Sequence, residues 1–133
     1  MSKFPSRKYA NVGAFVADYA ELTAAALKSV RPSEIERAVA TLKRAIAGDK
    51  LIFACGNGGS AAIANDIDYG EVFTHQLRNA ARPGDVLITI SSSGDSENIV
   101  RALAWARDNG MTTIAMSGFS GGRSAPTADI SLH

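Results

Sequence analysis

Two short loops carry the residues whose types and spacing could do chemistry, and they share one design. Leu51-Ile52-Phe53-Ala54-Cys55 runs straight into Gly56-Asn57-Gly58-Gly59-Ser60, and Val86-Leu87-Ile88-Thr89-Ile90 runs into Ser91-Ser92-Ser93-Gly94-Asp95-Ser96. Glycine lets the backbone come close to a ligand. N–H groups at a helix start point outward, and hydroxyls add donors around a concave site. An α/β protein holds a phosphate with this equipment. The plainer alternative is a pair of ordinary strand-to-helix turns, yet four serines around Gly94 exceed what one helix cap needs.

Composition narrows the partners. The 133 residues carry a net charge of +1 with acids and bases interspersed, so no basic face is expected to take up nucleic acid. Any anion would be held by local geometry and not by bulk charge. The length suits one domain with a real core, and 46% apolar with 20% charged residues suits a globular chain. One cysteine, Cys55, cannot form an internal disulfide, which fits a reducing compartment. The N-terminus has no signal-peptide core and no apolar run reaches membrane-spanning length, so a cytoplasmic location is expected.

The elements that must position the loops follow from periodicity. Residues 1–8 read as a polar arm. From Tyr9 to Val30, apolar residues recur at helical spacing, and Arg31-Pro32 stops that helix. Ser33 with Glu36 forms a capping-box pattern opening a second helix that ends near Gly48. The first helix is apolar around more of its girth than a one-sided surface helix needs, which points to burial or to a second subunit. Strands are expected at 51–55, 86–90 and 112–116, with a fourth beginning at Ile130. The first two are uninterrupted apolar runs and read as buried on both faces. A helix from about Glu71 to Ala81 leads to the turn Arg82-Pro83-Gly84-Asp85, and Ser96 can cap a helix that ends at Gly110. Gly118-Phe119-Ser120-Gly121-Gly122 is a third glycine-serine loop. Alternating strands and helices predict an α/β fold with a doubly wound, mostly parallel sheet, with ligands beyond the carboxyl ends of the strands.

The paired loops, in this order and joined by Arg82-Pro83-Gly84-Asp85-Val86-Leu87-Ile88, resemble the SIS (sugar isomerase) family, and within it the phosphoheptose isomerase branch. Ala64-Asn65-Asp66, Asn98-Ile99-Val100-Arg101-Ala102-Leu103, Gly110-Met111-Thr112-Thr113-Ile114 and Ala128-Asp129-Ile130 extend the similarity over nearly the whole chain from about residue 10. The resemblance implies a three-layer α/β sandwich around a five-stranded parallel sheet, preceded by two N-terminal helices at about 9–47. The sheet-and-loop region would run over about 50–133, making residues 1–133 a single SIS domain. It also implies a homo-oligomer, tetramer or dimer, with sites between subunits. The implied ligand is a small-molecule phosphosugar, and the implied reaction interconverts sedoheptulose 7-phosphate and D-glycero-D-manno-heptose 7-phosphate for surface-polysaccharide heptose. Carried over residue by residue, Asn57, Gly58, Gly59 and Ser60 match substrate contacts of the first loop. Ser91, Ser92, Ser93 and Ser96 match the phosphate loop, and Asn65 and Asp66 match further contacts to the sugar.

The chain also departs from that pattern. In the isomerases the first loop leads into a helix with a catalytic glutamate and then another strand, before the segment matching Asn65-Asp66. Here that later segment follows Ser60 almost at once, so a segment is missing between about 60 and 66. The C-terminal helix with its catalytic histidine has no counterpart in the 133 residues, and His133 precedes its position. The catalytic residues are therefore unassigned. Some members hold zinc through those same two helices, so zinc is an expectation for a full-length protein only, and no cofactor is assigned to this chain. A non-catalytic SIS scaffold of the DnaA initiator-associating type is the alternative, and a sugar-phosphate sensor, which would be expected to carry a fused DNA-binding or kinase domain, is a third. Outside the loops, Asp66 and Asp68 also suit a turn, Glu71 and Glu97 read as solvated helix-start acids, and His75 reads as a surface residue. Cys55 reads as a small buried hydrophobe, and Trp105 as packing.

Overall fold

Elements form in the order the periodicity dictates, and the computed structural model describes residues 7–56 and 68–133. The chain divides between Arg31 and Pro32 into two units. The first contains helix α1 (Val12–Ser29), capped where the Asn11 side chain accepts the Ala14 N–H at 2.9 Å. Arg7 and Tyr9 both bond Asp18, and the Tyr9 ring meets Phe15 edge-on at 5.4 Å. No residue of α1 is buried. Val12, Val16, Tyr19, Leu22 and Leu27 are all exposed.

The second unit opens with α2 (Pro32–Ala47). The capping box expected at Ser33 does not form, because Pro32 is itself the first helical residue and places Ser33 inside the first turn. Proline suits that position, since its missing N–H would have no partner there and its φ is already helical. The sheet follows, with β1 (Ile52–Gly56), β2 (Val86–Ser91), β3 (Thr112–Ser117) and β4 (Ile130–Leu132) in spatial order 1-2-3-4, all parallel. Between β1 and β2 stand a short 3-10 turn (Tyr69–Glu71) and α3 (Val72–Ala80); α4 (Glu97–Asp108) joins β2 to β3, and α5 (Ser124–Thr127) precedes β4. Four strands stand among the described residues, against the five that the resemblance implied.

Strand alternation sends successive side chains to opposite faces. Leu87 and Ala115 pack with Leu77 of α3 and with Ile99, Ala102, Leu103 and Ala106 of α4. Val86, Ile114 and Ile130 pack on Ala38 and Ala45 of α2. Helices thus cover both faces, and the fold is the three-layer α/β sandwich with a parallel sheet. The expectation of full two-sided burial needs correction for β1, whose residues alternate between exposed and half-buried. On the α2 side, helix cover reaches only the start of the strands. Ile90 and Met116, toward the far ends of β2 and β3, therefore stay 54% and 42% exposed, while Ile52 is 38% exposed on β1, the edge strand among the described residues.

The N-terminal ends of the strands are tied down by carboxylates. Buried Asp85 accepts the N–H groups of Leu51 at 3.0 Å and Arg82 at 2.9 Å. Asp129 accepts both the N–H and the hydroxyl of Thr113 at 2.8 Å. These bonds satisfy backbone groups that a buried strand start would otherwise leave orphaned.

Cys55 lies near the end of β1 on the α4 side, packed against the core cluster. Burial pushes its thiol up to about 12. The thiolate is the reactive form. At pH 8 iodoacetamide should therefore modify the folded chain at less than about one tenth of the rate found for the urea-unfolded chain. Equal rates would show the thiol to be open and ionisable.

Candidate phosphate-binding site

Parallel register decides which loops can share a pocket. Gly56 pairs with Ile90 across β1 and β2, so the first loop and the serine loop leave neighbouring strands at the same level, beyond their carboxyl ends. A Cβ on Gly56 would stand 2.8 Å from the Ile90 carbonyl oxygen, so the junction requires glycine. Asn57, Gly58, Gly59, Ser60, Asn65 and Asp66 lie outside the described residues, as does the place between about 60 and 66 where a segment is expected to be missing.

The serine loop is described in full. Ser91 is buried, and its Oγ accepts the Gly94 N–H at 3.2 Å and lies 3.4 Å from the Ser96 Oγ. Either hydroxyl can donate in that second contact. Ser92 and Ser93 are exposed, and the Ser93 Oγ accepts the Asp95 N–H at 3.2 Å. Ser96 stands at the N-cap of α4, as expected from sequence. Its hydroxyl, however, makes no capping bond; the Ser96 carbonyl instead receives the N–H groups of Ile99 and Val100, both at 3.0 Å. The structure thus brings Ser91, Ser93 and Ser96 together at the start of α4, where the helix dipole favours an anion.

The third glycine-serine loop explains the direction of these groups. Gly118 N–H donates to the Ser92 carbonyl at 3.1 Å. The Gly94 carbonyl accepts both the N–H of Ser124 at 2.9 Å and its hydroxyl at 2.6 Å. The Asp95 carbonyl accepts from the Arg123 guanidinium, whose backbone N–H also meets the Asp95 carboxylate at 2.9 Å. In a planar trans peptide the N–H points opposite to the carbonyl before it. With the carbonyls of Ser92, Gly94 and Asp95 drawn toward the loop after β3, the amides of Ser93, Asp95 and Ser96 turn the other way; that of Asp95 is taken by the Ser93 Oγ, which leaves those of Ser93 and Ser96. Sequence reading saw the third loop as a motif without assigning it a part. The glycines at 121 and 122 beside Arg123-Ser124 were the only signal that could have suggested one.

Charges around the loop are paired. Arg101 reaches Glu97 and Asp68 at 2.8 Å and Glu71 at 3.1 Å, while Arg123 reaches Glu97 at 3.0 Å. Asp68 serves the turn, accepting the Gly70 N–H at 3.0 Å, and that bond together with Arg101 holds its carboxyl below the ordinary range. Hydrogen bonds from Arg101 and then Arg123 lower Glu97 likewise. Glu71 and Glu97, expected as solvated helix-start acids, are thus members of an ion-paired network. These pairs are exposed or half-exposed, so they direct geometry more than they add stability. His75 is exposed on α3 and Trp105 packs half-buried against the core, both as expected. Among the described residues no three His, Cys, Asp or Glu side chains gather to hold a metal ion.

Comparison with known proteins places this geometry. The sequence profile described as SIS domain matches residues 14–72 and 63–118. A phosphoheptose isomerase of Mycobacterium bovis is 37% identical over 136 residues, taking in 74% of this chain and 69% of that protein. One from Halorhodospira halophila is also 37% identical, over 77% of this chain and 68% of its own. The structure of phosphoheptose isomerase GmhA from Neisseria gonorrhoeae superposes with a TM-score of 0.79 at 30% identity, covering 90% of this chain and 82% of that one. With the profile match spanning residues 14–118 and relatives at 37% identity, the chain belongs to the SIS domain family, in its phosphoheptose isomerase branch.

Proposed function

We propose that the chain is an aldose–ketose isomerase of the cytoplasm, interconverting sedoheptulose 7-phosphate and D-glycero-D-manno-heptose 7-phosphate. The observation that carries this reading is the serine loop, with the carbonyls of Ser92, Gly94 and Asp95 bonded on the β3 side and the amides of Ser93 and Ser96 turned away from it. The phosphate would sit on Ser91, Ser92, Ser93 and Ser96 and the nearby N–H groups, at the start of α4. Asn57, Gly58, Gly59, Ser60, Asn65 and Asp66 would hold the sugar. A phosphate fixed at the far end orients C1 and C2, so binding energy from the non-reacting end serves the reacting one. Isomerisation then needs a base that takes the proton from one carbon and returns it to the next through an enediol. No glutamate stands between Ser60 and Asp66. Glu97, held ionised by two arginines, is a poor base.

Turnover of sedoheptulose 7-phosphate, followed by carbon NMR with binding measured separately, tests the proposal. Turnover is expected from the protein isolated from its own cells, with the base supplied from outside residues 1–133, and Ser96→Ala should raise KM about ten-fold, the loss of one charge-assisted hydrogen bond of about 1.5 kcal/mol. Tight binding without turnover would overturn the enzyme reading.

We also propose that the path from β1 to β2 is genuinely shortened between about 60 and 66. The match to the Mycobacterium bovis protein runs over 136 residues while engaging 74% of a 133-residue chain. That relative therefore carries residues without a counterpart here. The family profile likewise matches in two stretches that share residues 63–72. No lysine or arginine stands between Lys50 and Arg78. Tryptic digestion of the protein from its own cells should therefore release residues 51–78 as one peptide. Peptides carrying extra sequence after Ser60 would overturn the shortening.

The exposed apolar residues of α1 support a homo-oligomer, a dimer or tetramer in which α1 packs against a second copy. An 18-residue helix with nothing buried would otherwise leave its apolar side in water. Sedimentation velocity should show an oligomer, and Leu22→Glu should shift it toward monomer. A monomeric parent chain would refute this assembly.

A further inference from the structure

We propose that the third glycine-serine loop is a clamp for the phosphate-binding loop, with Ser124 and Arg123 as positioning residues that aim its amides at the anion. This rests on the reading of the serine loop as the phosphate site and adds what sets its geometry. An oxyanion is bound well only by donors already facing it, because turning a peptide plane at the moment of binding subtracts from affinity. The segment Ser91–Ser96 has no secondary structure beyond β2 to hold it until α4 begins. Its carbonyls at Ser92, Gly94 and Asp95 instead find their partners in one place, on Gly118, Ser124 and Arg123.

Contact between the two loops is as close as backbones permit. A Cβ on Gly94, whose φ is +70°, would stand 2.0 Å from the Gly121 carbonyl oxygen, and one on Gly122 would stand 2.5 Å from that of Ser93. Only glycine allows this approach, so the loops dock main chain to main chain. Ser124 is buried, and both of its donors point at one carbonyl. An ordinary turn would need one bond there. Arg123 binds from outside the same stretch, gripping the Asp95 carbonyl and carboxylate and the Glu97 carboxylate. Its charge is taken up by those acids, so it acts on an anion through the backbone and not by direct contact.

The experiment uses inorganic phosphate and sedoheptulose 7-phosphate as probes of the whole chain. Ser124→Ala and Arg123→Ala should each weaken binding of both probes about ten-fold, the scale of one hydrogen bond to a buried group. They should also shrink the phosphate-induced amide shifts of Ser93 and Ser96 in nitrogen-proton NMR spectra. Asp129→Asn breaks the cap on Thr113 without touching the serine loop. It should lower the melting temperature of the free chain while leaving phosphate affinity unchanged. Should Ser124→Ala not fold, Ser124→Cys keeps the volume and removes the strong donor. Wild-type affinity in the Ser124 and Arg123 variants, or an equal loss in Asp129→Asn, would overturn the clamp. A parent chain that binds neither probe would overturn the site reading itself, and the clamp with it.

Discussion

Everything at the carboxyl end of this sheet depends on which way a few peptide planes face. A phosphate can be held by a nearly uncharged protein only if neutral donors converge on it. Backbone amides are the densest supply of such donors. Each amide is rigidly opposed to a carbonyl that must be satisfied elsewhere. Between Ser92 and Ser96 that requirement is met on the side of the loop after β3. The carbonyls of Ser92, Gly94 and Asp95 are bonded there, the Gly94 and Asp95 amides bond serine hydroxyls within the loop, and the amides of Ser93 and Ser96 face away from the loop after β3. Reversing the arrangement would present a ring of carbonyl oxygens to an anion.

The ion pairs fit the same logic. Arg101 and Arg123 are the cations near the loop, and each is matched by acids: Asp68, Glu71 and Glu97 for the first, Asp95 and Glu97 for the second. Glu97 is shared between them. A guanidinium that meets carboxylates on several sides adds little field at the site. What it adds is position, fastening the turn at Tyr69–Glu71 to α4 through Arg101 and the loop after β3 to the start of α4 through Arg123. The net charge of +1 is thus no obstacle to anion binding, because long-range attraction is not what the pocket uses.

Much of this was legible in the sequence, and the losses have physical causes. Apolar runs ending in glycine and serine located β1, β2 and their loops, because a parallel strand buried by helices leaves that trace. Periodicity located α2 and α4 for the same reason. The capping box at Ser33 misled because two start signals overlapped and Pro32 began the helix first. Ser96 was rightly placed at a cap, but sequence cannot say whether a capping hydroxyl is used or spared. The clamp was invisible because its bonds end on main-chain carbonyls between segments some thirty residues apart, and side-chain patterns do not report those. Nothing in the sequence pattern singles out Arg123 or Ser124; only their place beside Gly94 and Asp95 gives them meaning.

The open side of β1 has a related origin. Its apolar run Leu51–Cys55 is the sequence of an interior strand, yet among the described residues it pairs only with β2. An apolar edge strand without charge or proline has none of the usual defences against pairing with another chain. If the connection to β2 is shortened as proposed, the strand and helix that would cover this edge in relatives are what the chain has given up. Among the described residues the phosphate loop is braced from the β3 side and by its own serines, and not from that edge. Anion binding and the completeness of the sheet are therefore separable properties in this fold. A chain can lose cover over β1 and still keep the donors of Ser93 and Ser96 in place.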